Sequence, residues 1–509
     1  MSADSHWFNI PNPLTDHLPS FKDLEDVVRM MTNDPLEGLD ISKLTFLEQD
    51  ELLVMEKMPL RPTAQSLRTG LTISGMVRGS LKLRNPTLAS ARSLVDRLVD
   101  EGQSIGLAHF ASPQQGSSTL LVMGTTGTSK TVTVKQACKL LGPQVIRHQS
   151  NEAALWIACT QLVFLYVGMS HDGSRGGLLG AILLSIDQAL QTSYAIDMPK
   201  KFKTIERLAG AIISLLHSLY LGVLIIDEGQ LRNLVLSDQA ELMQLFLLSL
   251  MNSGLPLVLV GNPFAFTWLA DFSQDARRLS ERPPEFFHPC GAIGLPSEDE
   301  WDVVFEGVAD YYVLHRPLQD RAECSRILKR CSGGVPGLSL ALWCTAQRLV
   351  LHEKERDSLE PSDIVRAYHE RGFSEMRAFA EGFANKDPKK LLRWRGEDVP
   401  VDYYADAWGC PLPDVISNAL DSTYVHGMFP ASDAVKRKKT SSGKSKLKAH
   451  ATKEANQKLT RMRLQSCLSD EDMRKNGLQQ HALKGLESVH HQEQRLSRTS
   501  RKSASKPAQ

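Results

Sequence analysis

A loop of small residues at positions 124–131 reads Gly124-Thr125-Thr126-Gly127-Thr128-Ser129-Lys130-Thr131. It follows a short apolar run and precedes a helical pattern that continues to Leu141. Small residues between a strand and a helix let backbone N–H groups turn inward around phosphates, and the helix N-terminus adds the positive end of its dipole. All eight residues are therefore candidates to bind a nucleoside triphosphate, with Lys130 at the β- and γ-phosphates and the Thr131 hydroxyl on Mg²⁺.

One residue of the loop departs from the usual pattern. Ser129 stands directly before Lys130, where phosphate-binding loops carry glycine. Serine is among the smallest residues that have a Cβ, so we expect the loop to close with some backbone strain and to bind nucleotide less tightly. The alternative for the whole motif is a turn of small residues that ends in a surface lysine.

A pair of carboxylates follows a second apolar run about a hundred residues further on. Residues 221–226 are continuously apolar, which is typical of a strand buried on both faces of a parallel sheet. Asp227 and Glu228 come next, at the strand edge where α/β sheets bind ligands. We expect Asp227 to hold Mg²⁺, directly or through water, and Glu228 to polarise the attacking water. A solvated acidic turn is the alternative, and the loop upstream favours the nucleotide site.

A third apolar run, residues 255–260, leads to Asn262. We expect the Asn262 side chain to reach the γ-phosphate or the attacking water, and a role in starting a turn is compatible with this. In ring-forming ATPases an arginine after this strand acts on the nucleotide of the neighbouring subunit. Arg277 and Arg278 are the candidates here, with Arg282 third; surface arginines without this function are the alternative.

Patterning along the chain predicts five segments. They are an N-terminal helical adaptor region (1–110), an α/β nucleotide-binding core with a parallel sheet (111–290), a wholly helical segment (291–372), a C-terminal partner-binding region (373–430) and a basic, disordered tail (431–509). Within them, residues 87–102 predict a helix that ends at a glycine, and residues 161–167 predict one strand. The mixed basic and aromatic run 389–395 predicts either a phosphate-backbone contact or a packed helix.

Composition limits the class of protein. The 509 residues are 42% hydrophobic and 23% charged, as in ordinary globular proteins. No segment approaches the ~18 consecutive apolar residues of a membrane span, and the first residues lack the pattern of a secretion signal, so we expect a cytoplasmic protein without a membrane partner. None of the eight cysteines forms a Cys-x-x-Cys pair, which favours reduced thiols over disulfides or a zinc site.

The net charge of +1 hides a strong asymmetry. Residues 431–509 contain 19 Lys and Arg against 7 Asp and Glu, whereas the remaining residues contain 40 against 51. A basic segment of low hydrophobicity is typically disordered and binds nucleic acid or an acidic protein surface. The alternatives are a solvated tail without a specific partner and a tail held by the acidic remainder of the same chain.

Several runs resemble the TnsC/TniB family of AAA+ ATPases that regulate DNA transposition. The resemblance covers roughly residues 110–350, and it rests on residues 165–174 with 177–179, residues 224–230, residues 254–256 with 261–263, and residues 276–278. The His171-Asp172-Gly173-Ser174 run and the Asp227-Glu228-Gly229-Gln230 run are its most specific parts. Residues 291–372, with a break at 332–337, also resemble the helical lid that follows the α/β core in AAA+ ATPases.

This resemblance implies an ATPase that assembles on duplex DNA. Such proteins bind ATP and Mg²⁺, form homo-oligomeric rings or helical filaments around the duplex, and connect a target-selector protein to the transposase and its partner nuclease. Two departures from the family pattern imply slow ATP hydrolysis here. The loop has Ser129 in place of glycine, and the lid has Gly337 and Leu338 where the family has an arginine. The rival interpretations are a nucleotide-switched protein scaffold of the STAND/AAA+ type and a replication-initiator-like loader.

Overall fold

The computed structural model describes residues 10–111, 118–230, 234–235, 238–270, 282–294, 299–353, 356–396, 398–410 and 412. All of these residues belong to one compact unit. The candidate arginines Arg277 and Arg278 lie outside the described residues, as does the basic segment 431–509.

A five-stranded parallel sheet forms the centre of the described chain. The strands are β1 (Ser118–Gly124), β2 (Val145–His148), β3 (Cys159–Leu162), β4 (Phe164–Gly168), β5 (Val223–Gly229), β6 (Pro256–Gly261) and β7 (Glu285–Phe287). The sheet has the order β4-β5-β6-β1-β7, and β2 and β3 form a separate antiparallel pair. Because all neighbours in the sheet are parallel, the carboxyl ends of the five strands meet at one edge.

Helices make up most of the remaining described residues. They are α1 (Leu24–Met31), α2 (Phe46–Met55), α3 (Ala64–Leu83), α4 (Ala89–Ile105), α5 (Lys130–Ala137), α6 (Arg175–Leu190), α7 (Tyr194–Lys201), α8 (Ile205–Ser218), α9 (Ala240–Asn252), α10 (Trp301–Asp310), α11 (Arg321–Ser332), α12 (Pro336–Glu353), α13 (Pro361–His369), α14 (Ser374–Ala384) and α15 (Val401–Ala407). Short 3-10 helices connect them at Ile41–Lys43, Gly106–Ala111, Cys138–Leu141, Pro263–Ala270, Arg371–Phe373 and Pro388–Trp394.

The sheet is apolar because both of its faces are covered. Leu120 and Val122 of β1 pack in one cluster with Ile73 and Val77 of α3. The alternate strand residues, such as Leu121, are also buried. Burial on both faces explains why the central strands are continuous apolar runs in the sequence, and it confirms the predicted α/β core with a parallel sheet.

The N-terminal residues pack on the core and on the helical lid. Leu14 lies in one buried cluster with Val122 of the core strand β1. Leu53 of α2 lies in a buried cluster with Tyr311 and Leu340, which belong to the lid side. The N-terminal region therefore contacts both the sheet and the lid. Its predicted boundary at residue 110 stays a prediction.

Two apolar clusters organise the C-terminal half of the described chain. The first surrounds the fully buried Trp343 of α12 and joins helices α10 to α13. The second contains Phe379, Phe383, Val399 and Tyr404, and it packs α14 and α15 against the chain that follows β7. The segment after residue 373 is thus attached to the lid and to the edge of the core.

Two local predictions were wrong. The run 161–167 is divided at Val163, because β3 pairs with β2 whereas β4 joins the main sheet. Helix α4 continues past Gly102 to Ile105. Gly102 is needed for close packing, since a Cβ at this position would lie 2.3 Å from Ser214 Oγ of α8. The helix ends instead before Gly106, whose φ is +79°.

Two negative findings apply to the described part of the chain. No helix in it combines the length and the apolar character that crossing a membrane requires. Seven cysteines fall within it, and all seven are free thiols.

Candidate nucleotide-binding site

The loop of small residues connects the buried strand β1 to helix α5. Strand β1 ends at Gly124, and α5 begins at Lys130. Ser129 precedes the helix with φ +64° and ψ 15°, in the left-handed region. This conformation costs an L-residue with a Cβ roughly 1–2 kcal/mol, whereas glycine adopts it freely. The loop therefore closes, and Ser129 carries the strain that its side chain introduces.

Lys130 is folded onto the loop that precedes it. Its Nζ donates hydrogen bonds of 2.9 Å to the Gly124 carbonyl and 2.8 Å to the Thr125 carbonyl. Burial lowers the pKa of Lys130 to about 8, and the nearby carboxylates of Asp227 and Asp398 oppose that fall. An ammonium group is thus held inside the loop beside two acidic side chains.

Asp227 receives hydrogen bonds from three directions and is only 3% exposed. Thr131 Oγ1 donates to Asp227 Oδ2 across 2.8 Å, and the Tyr166 hydroxyl donates to the same oxygen. The backbone N–H of Glu228 donates to Asp227 Oδ1 across 2.6 Å. These contacts orient the carboxylate toward the first turn of α5.

Tyr166 is a site residue that the sequence did not reveal. It lies on β4 opposite Ile225 of β5, and Gly168 of β4 pairs with Asp227. Burial, together with the hydrogen bond that it donates to Asp227, raises the pKa of the Tyr166 hydroxyl far above its usual value. The available signal was its place two residues before the end of the strand beside Asp227.

Glu228, the residue after Asp227, is exposed to solvent. The pairing of β5 with β6 shifts register between Ile226 and Gly229, and Glu228 has φ +62°. This bulge leaves Glu228 exposed while its neighbour Asp227 stays buried. The two adjacent carboxylates therefore have different environments, as a metal ligand and a solvent-facing residue would require.

Asn262 lies at the same edge of the sheet. Its backbone N–H donates to the Gly229 carbonyl across 2.9 Å, and its carbonyl accepts from Ala265 in the following 3-10 helix. The side-chain Nδ2 donates to Asp398 Oδ1 across 2.5 Å. Asn262 thus starts a turn and also presents its amide at the strand end. Asp398 was not found from the sequence, because 136 residues separate it from Asn262.

Two spaces adjoin the loop. One lies over it and is lined by residues 127–132 together with Met58 and Gly337. The other lies beside the loop, where Thr128 and Ser129 form part of its wall. Its remaining lining is mixed, with apolar residues such as Leu60 and Val304 and polar residues such as Glu300. The Gly337 N–H of the lid helix α12 donates to the Gly127 carbonyl across 2.9 Å. The lid therefore contacts the loop directly.

The residues fit a magnesium nucleotide. Within the described ranges no cluster of three or more His, Cys, Asp or Glu side chains could hold a metal by itself. Magnesium, however, usually takes one or two carboxylates together with phosphate oxygens and water. Thr131 and Asp227 supply a hydroxyl and a carboxylate 2.8 Å apart. The hydroxyl of Thr125, in the same loop, is buried without a hydrogen-bond partner within the described residues.

Other residues singled out in the sequence have structural contacts. Asp172 Oδ1 accepts a 2.9 Å hydrogen bond from the Ser174 N–H, and the Ser174 hydroxyl caps helix α6 by accepting from Gly177. In the run 389–395, Lys390 pairs with Glu381 and Arg393 with Glu375, while Leu391 is buried. That run is a packed 3-10 helix. The third candidate arginine, Arg282, lies just before strand β7.

Comparison with known families fits this geometry. Residues 114–269 match the family model of the AAA domain. The parallel sheet, the phosphate-binding loop and this match identify an AAA domain within residues 114–269, and the protein is an ATPase. No curated protein matches the sequence significantly.

Solved structures of AAA+ proteins are similar to part of the chain. The ORC2 protein of Aeropyrum pernix, determined in ADPNP and ADP complexes, is 14% identical, with 57% of this chain and 68% of that chain covered and a TM-score of 0.31. The ORC1 protein of the same organism, in complex with DNA, is 16% identical over 56% and 68%, with a TM-score of 0.33. RuvB from Thermotoga maritima is 15% identical over 61% and 80%, with a TM-score of 0.28.

Proposed function

We propose that this protein is an ATP-dependent regulator of DNA transposition of the TnsC/TniB type. It assembles on duplex DNA in its ATP state and connects a target-selector protein to the transposase and its partner nuclease. The observation that carries the nucleotide part is the hydrogen bond between Thr131 Oγ1 and Asp227 Oδ2, which joins the loop to the acidic strand. The transposition part is supported by the sequence resemblance in residues 165–174 and 224–230.

The chain's own residues divide the work at the nucleotide. The N–H groups of residues 124–131 and the Lys130 ammonium bind the phosphates. Thr131 and Asp227 hold Mg²⁺, which when bound neutralises charge on the phosphates. The exposed Glu228 accepts a proton from the attacking water, and the Asn262 amide orients that water or the γ-phosphate. The space beside the loop, which Leu60 and Val304 help to line, receives the base.

Assembly follows from where the nucleotide is bound. Arg277 or Arg278 of a neighbouring subunit completes the site and stabilises the charge that develops on the γ-phosphate. ATP then favours the assembled state because it binds that state more tightly. Strain at Ser129 and the lack of an arginine at Gly337 and Leu338 make hydrolysis slow, which suits a timing switch.

Duplex DNA is bound through its phosphates with little reading of base sequence. Binding of this kind releases counterions, so the affinity falls steeply as salt is raised. The basic segment 431–509 adds to the attraction, since it has 19 basic and 7 acidic residues. Protein partners then determine which target is used.

A gel-shift series tests this proposal. Wild type and Lys130→Ala are compared on duplex DNA with a non-hydrolysable ATP analogue, with ADP and without nucleotide. We expect wild type to bind in an analogue-dependent manner and Lys130→Ala to lose that dependence. Lys139→Ala is the matched control, because Lys139 is exposed at the other end of the same helical stretch. Binding that is independent of nucleotide and confined to the isolated tail would contradict the proposal.

Two alternative functions are also compatible with the AAA domain of this chain. A replication-initiator-like loader also binds duplex DNA, but it delivers a helicase and does not stimulate a transposase. A nucleotide-switched scaffold assembles with ATP and binds proteins alone. Adding transposase and its donor DNA to the assembled protein distinguishes the three functions, because only the proposed regulator increases strand transfer.

A further inference from the structure

A carboxylate from the C-terminal part of the chain lies within the nucleotide site. Asp398 Oδ1 accepts a 2.5 Å hydrogen bond from Asn262 Nδ2. The same carboxylate is near enough to Lys130 to act electrostatically on that ammonium group. In the proposed function, Asn262 and Lys130 are the two side chains that contact the γ-phosphate of ATP. Asp398 therefore brings a negative charge to the position that the charge of this phosphate would take.

The segment that carries Asp398 is fixed on both sides. Val399, the next residue, is fully buried in the cluster with Phe379 and Tyr404. Arg395, three residues earlier, donates hydrogen bonds of 2.7 and 3.0 Å to the two carboxylate oxygens of Asp402. Since both flanks are packed, the carboxylate is part of the built site and is not the end of a long surface side chain.

We propose that Asp398 is a specificity-determining residue that weakens the binding of ATP relative to ADP. The γ-phosphate and the Asp398 carboxylate both carry negative charge and both require the Asn262 amide and the Lys130 ammonium. ADP lacks this phosphate and leaves the contact between Asp398 and Asn262 intact. ATP binds only by breaking that contact or by placing two like charges close together in a partly buried site, which is unfavourable. The inference rests on the proposed ATP site and adds the residue that sets its nucleotide preference.

The test is the ratio of two dissociation constants. Asp398→Asn keeps the size of the side chain and an oxygen that accepts from Asn262, but it removes the charge. A non-hydrolysable ATP analogue and ADP, each with Mg²⁺, are titrated separately into the full chain by calorimetry. We expect the Kd of the analogue to fall about tenfold, as removal of a nearby like charge implies, and the Kd of ADP to change less than about twofold.

Two further variants provide controls. Asp406→Asn makes the same charge change on an exposed residue of α15, so it should leave the ratio unchanged. Asp398→Glu keeps the charge and should keep the wild-type preference. If Asp398→Asn fails to fold, as judged by its thermal unfolding, Asp398→Ser removes the same charge and replaces it in the comparison.

Three results would overturn the inference. One is an unchanged ratio in a folded variant without the Asp398 charge. Another is weaker binding of the ATP analogue by Asp398→Asn, which would show that the carboxylate helps to hold magnesium. The third is a wild-type chain that binds neither nucleotide, which would contradict the proposed function as well. Binding of both nucleotides with an unchanged ratio would contradict this inference alone.

Discussion

Thr131 and Asp227 are connected by a hydrogen bond of 2.8 Å, although 96 residues separate them in the chain. Thr131 stands in the first turn of α5, and Asp227 lies near the end of β5. Helix α5 follows β1, and strand β6 lies between β1 and β5 in the sheet. The hydrogen bond therefore connects parts of the site that come from two strands that are not neighbours. A hydroxyl and a carboxylate in this arrangement are suitable oxygen ligands for one magnesium ion.

Removal of the Thr131 hydroxyl should stop magnesium-dependent hydrolysis. We expect Thr131→Ala to lower the ATPase rate about 100-fold, because a lost metal contact costs several kcal/mol of transition-state stabilisation. Steady-state phosphate release at saturating Mg²⁺ is the measurement. Thr131→Ser keeps the hydroxyl and should retain most of the activity. Equal losses in the two variants would show that the methyl group is the important part.

Replacement of Ser129 by glycine should stabilise the loop. Ser129 has φ +64° and its side chain makes no capping hydrogen bond, so little is lost when it is removed. Relief of the left-handed strain, less the entropy cost of glycine, should raise the free energy of unfolding by about 1 kcal/mol. Chemical denaturation measures this change. Ser129→Ala keeps the Cβ and should show no gain, so an equal gain in both variants would refute the strain argument.

Nucleotide affinity should fall as the pH rises above about 8. Burial lowers the pKa of Lys130 to about 8, and only the charged form binds phosphate well. At one pH unit above that value about nine-tenths of the lysine is neutral, so we expect an affinity loss of about tenfold at pH 9. Lys130→Arg remains charged throughout and should show a flat profile. A flat profile in the wild type would contradict the prediction.

The Lys130 amine should affect the stability of the nucleotide-free protein in the opposite direction, so that its contribution to the free energy of unfolding increases with pH. The folded-state pKa of Lys130 lies below the 10.5 of an exposed lysine. Between these two values the unfolded chain binds more protons than the folded chain, so the contribution of Lys130 to the free energy of unfolding increases with pH. Without nucleotide, the difference in unfolding free energy between wild type and Lys130→Met should therefore change in favour of wild type from pH 8 to pH 10.

Removal of the Tyr166 hydroxyl should loosen Asp227. Tyr166→Phe leaves a carboxylate that is 3% exposed with one donor fewer. We expect the free energy of unfolding to fall by about 2 kcal/mol, as for hydrogen bonds to charged groups, and the Mg²⁺ concentration for half-maximal ATPase activity to rise. Tyr312→Phe removes a hydroxyl that donates to the Arg316 carbonyl in the lid, and it should leave the Mg²⁺ requirement unchanged. The same Mg²⁺ requirement in both variants would argue against a positioning role for Tyr166.

The positions of Lys130, Asp227 and Asn262 in the fold could be predicted because these residues follow local sequence patterns, while their roles stay predictions. A loop of small residues after a strand, and carboxylates after a continuous apolar run, are each readable within about ten residues. Parallel strands then bring Lys130, Asp227 and Asn262 to one edge of the sheet, as strand ends in such sheets must lie. The α/β core and the ATPase class were confirmed for this reason.

Contacts between distant segments could not be predicted. Asp398 reaches Asn262 only because the lid and the segment after it fold back on the core. Tyr166 depends on the register of β4 against β5, which no short motif encodes. Gly102 showed the limit of local rules, because a glycine that usually ends a helix serves here for close packing against α8. The roles of Arg277 and Arg278 stay predictions, since both residues lie outside the described ranges.

The size of the assembly on duplex DNA shows most directly whether bound ATP holds the subunits together. Sedimentation velocity of the wild type is measured with a short duplex and Mg²⁺, in the presence of either a non-hydrolysable ATP analogue or ADP. We expect a large DNA-bound oligomer with the analogue, a much smaller species with ADP, and no analogue-dependent change in Lys130→Ala. Identical sedimentation of the wild type under both nucleotide conditions would contradict this expectation.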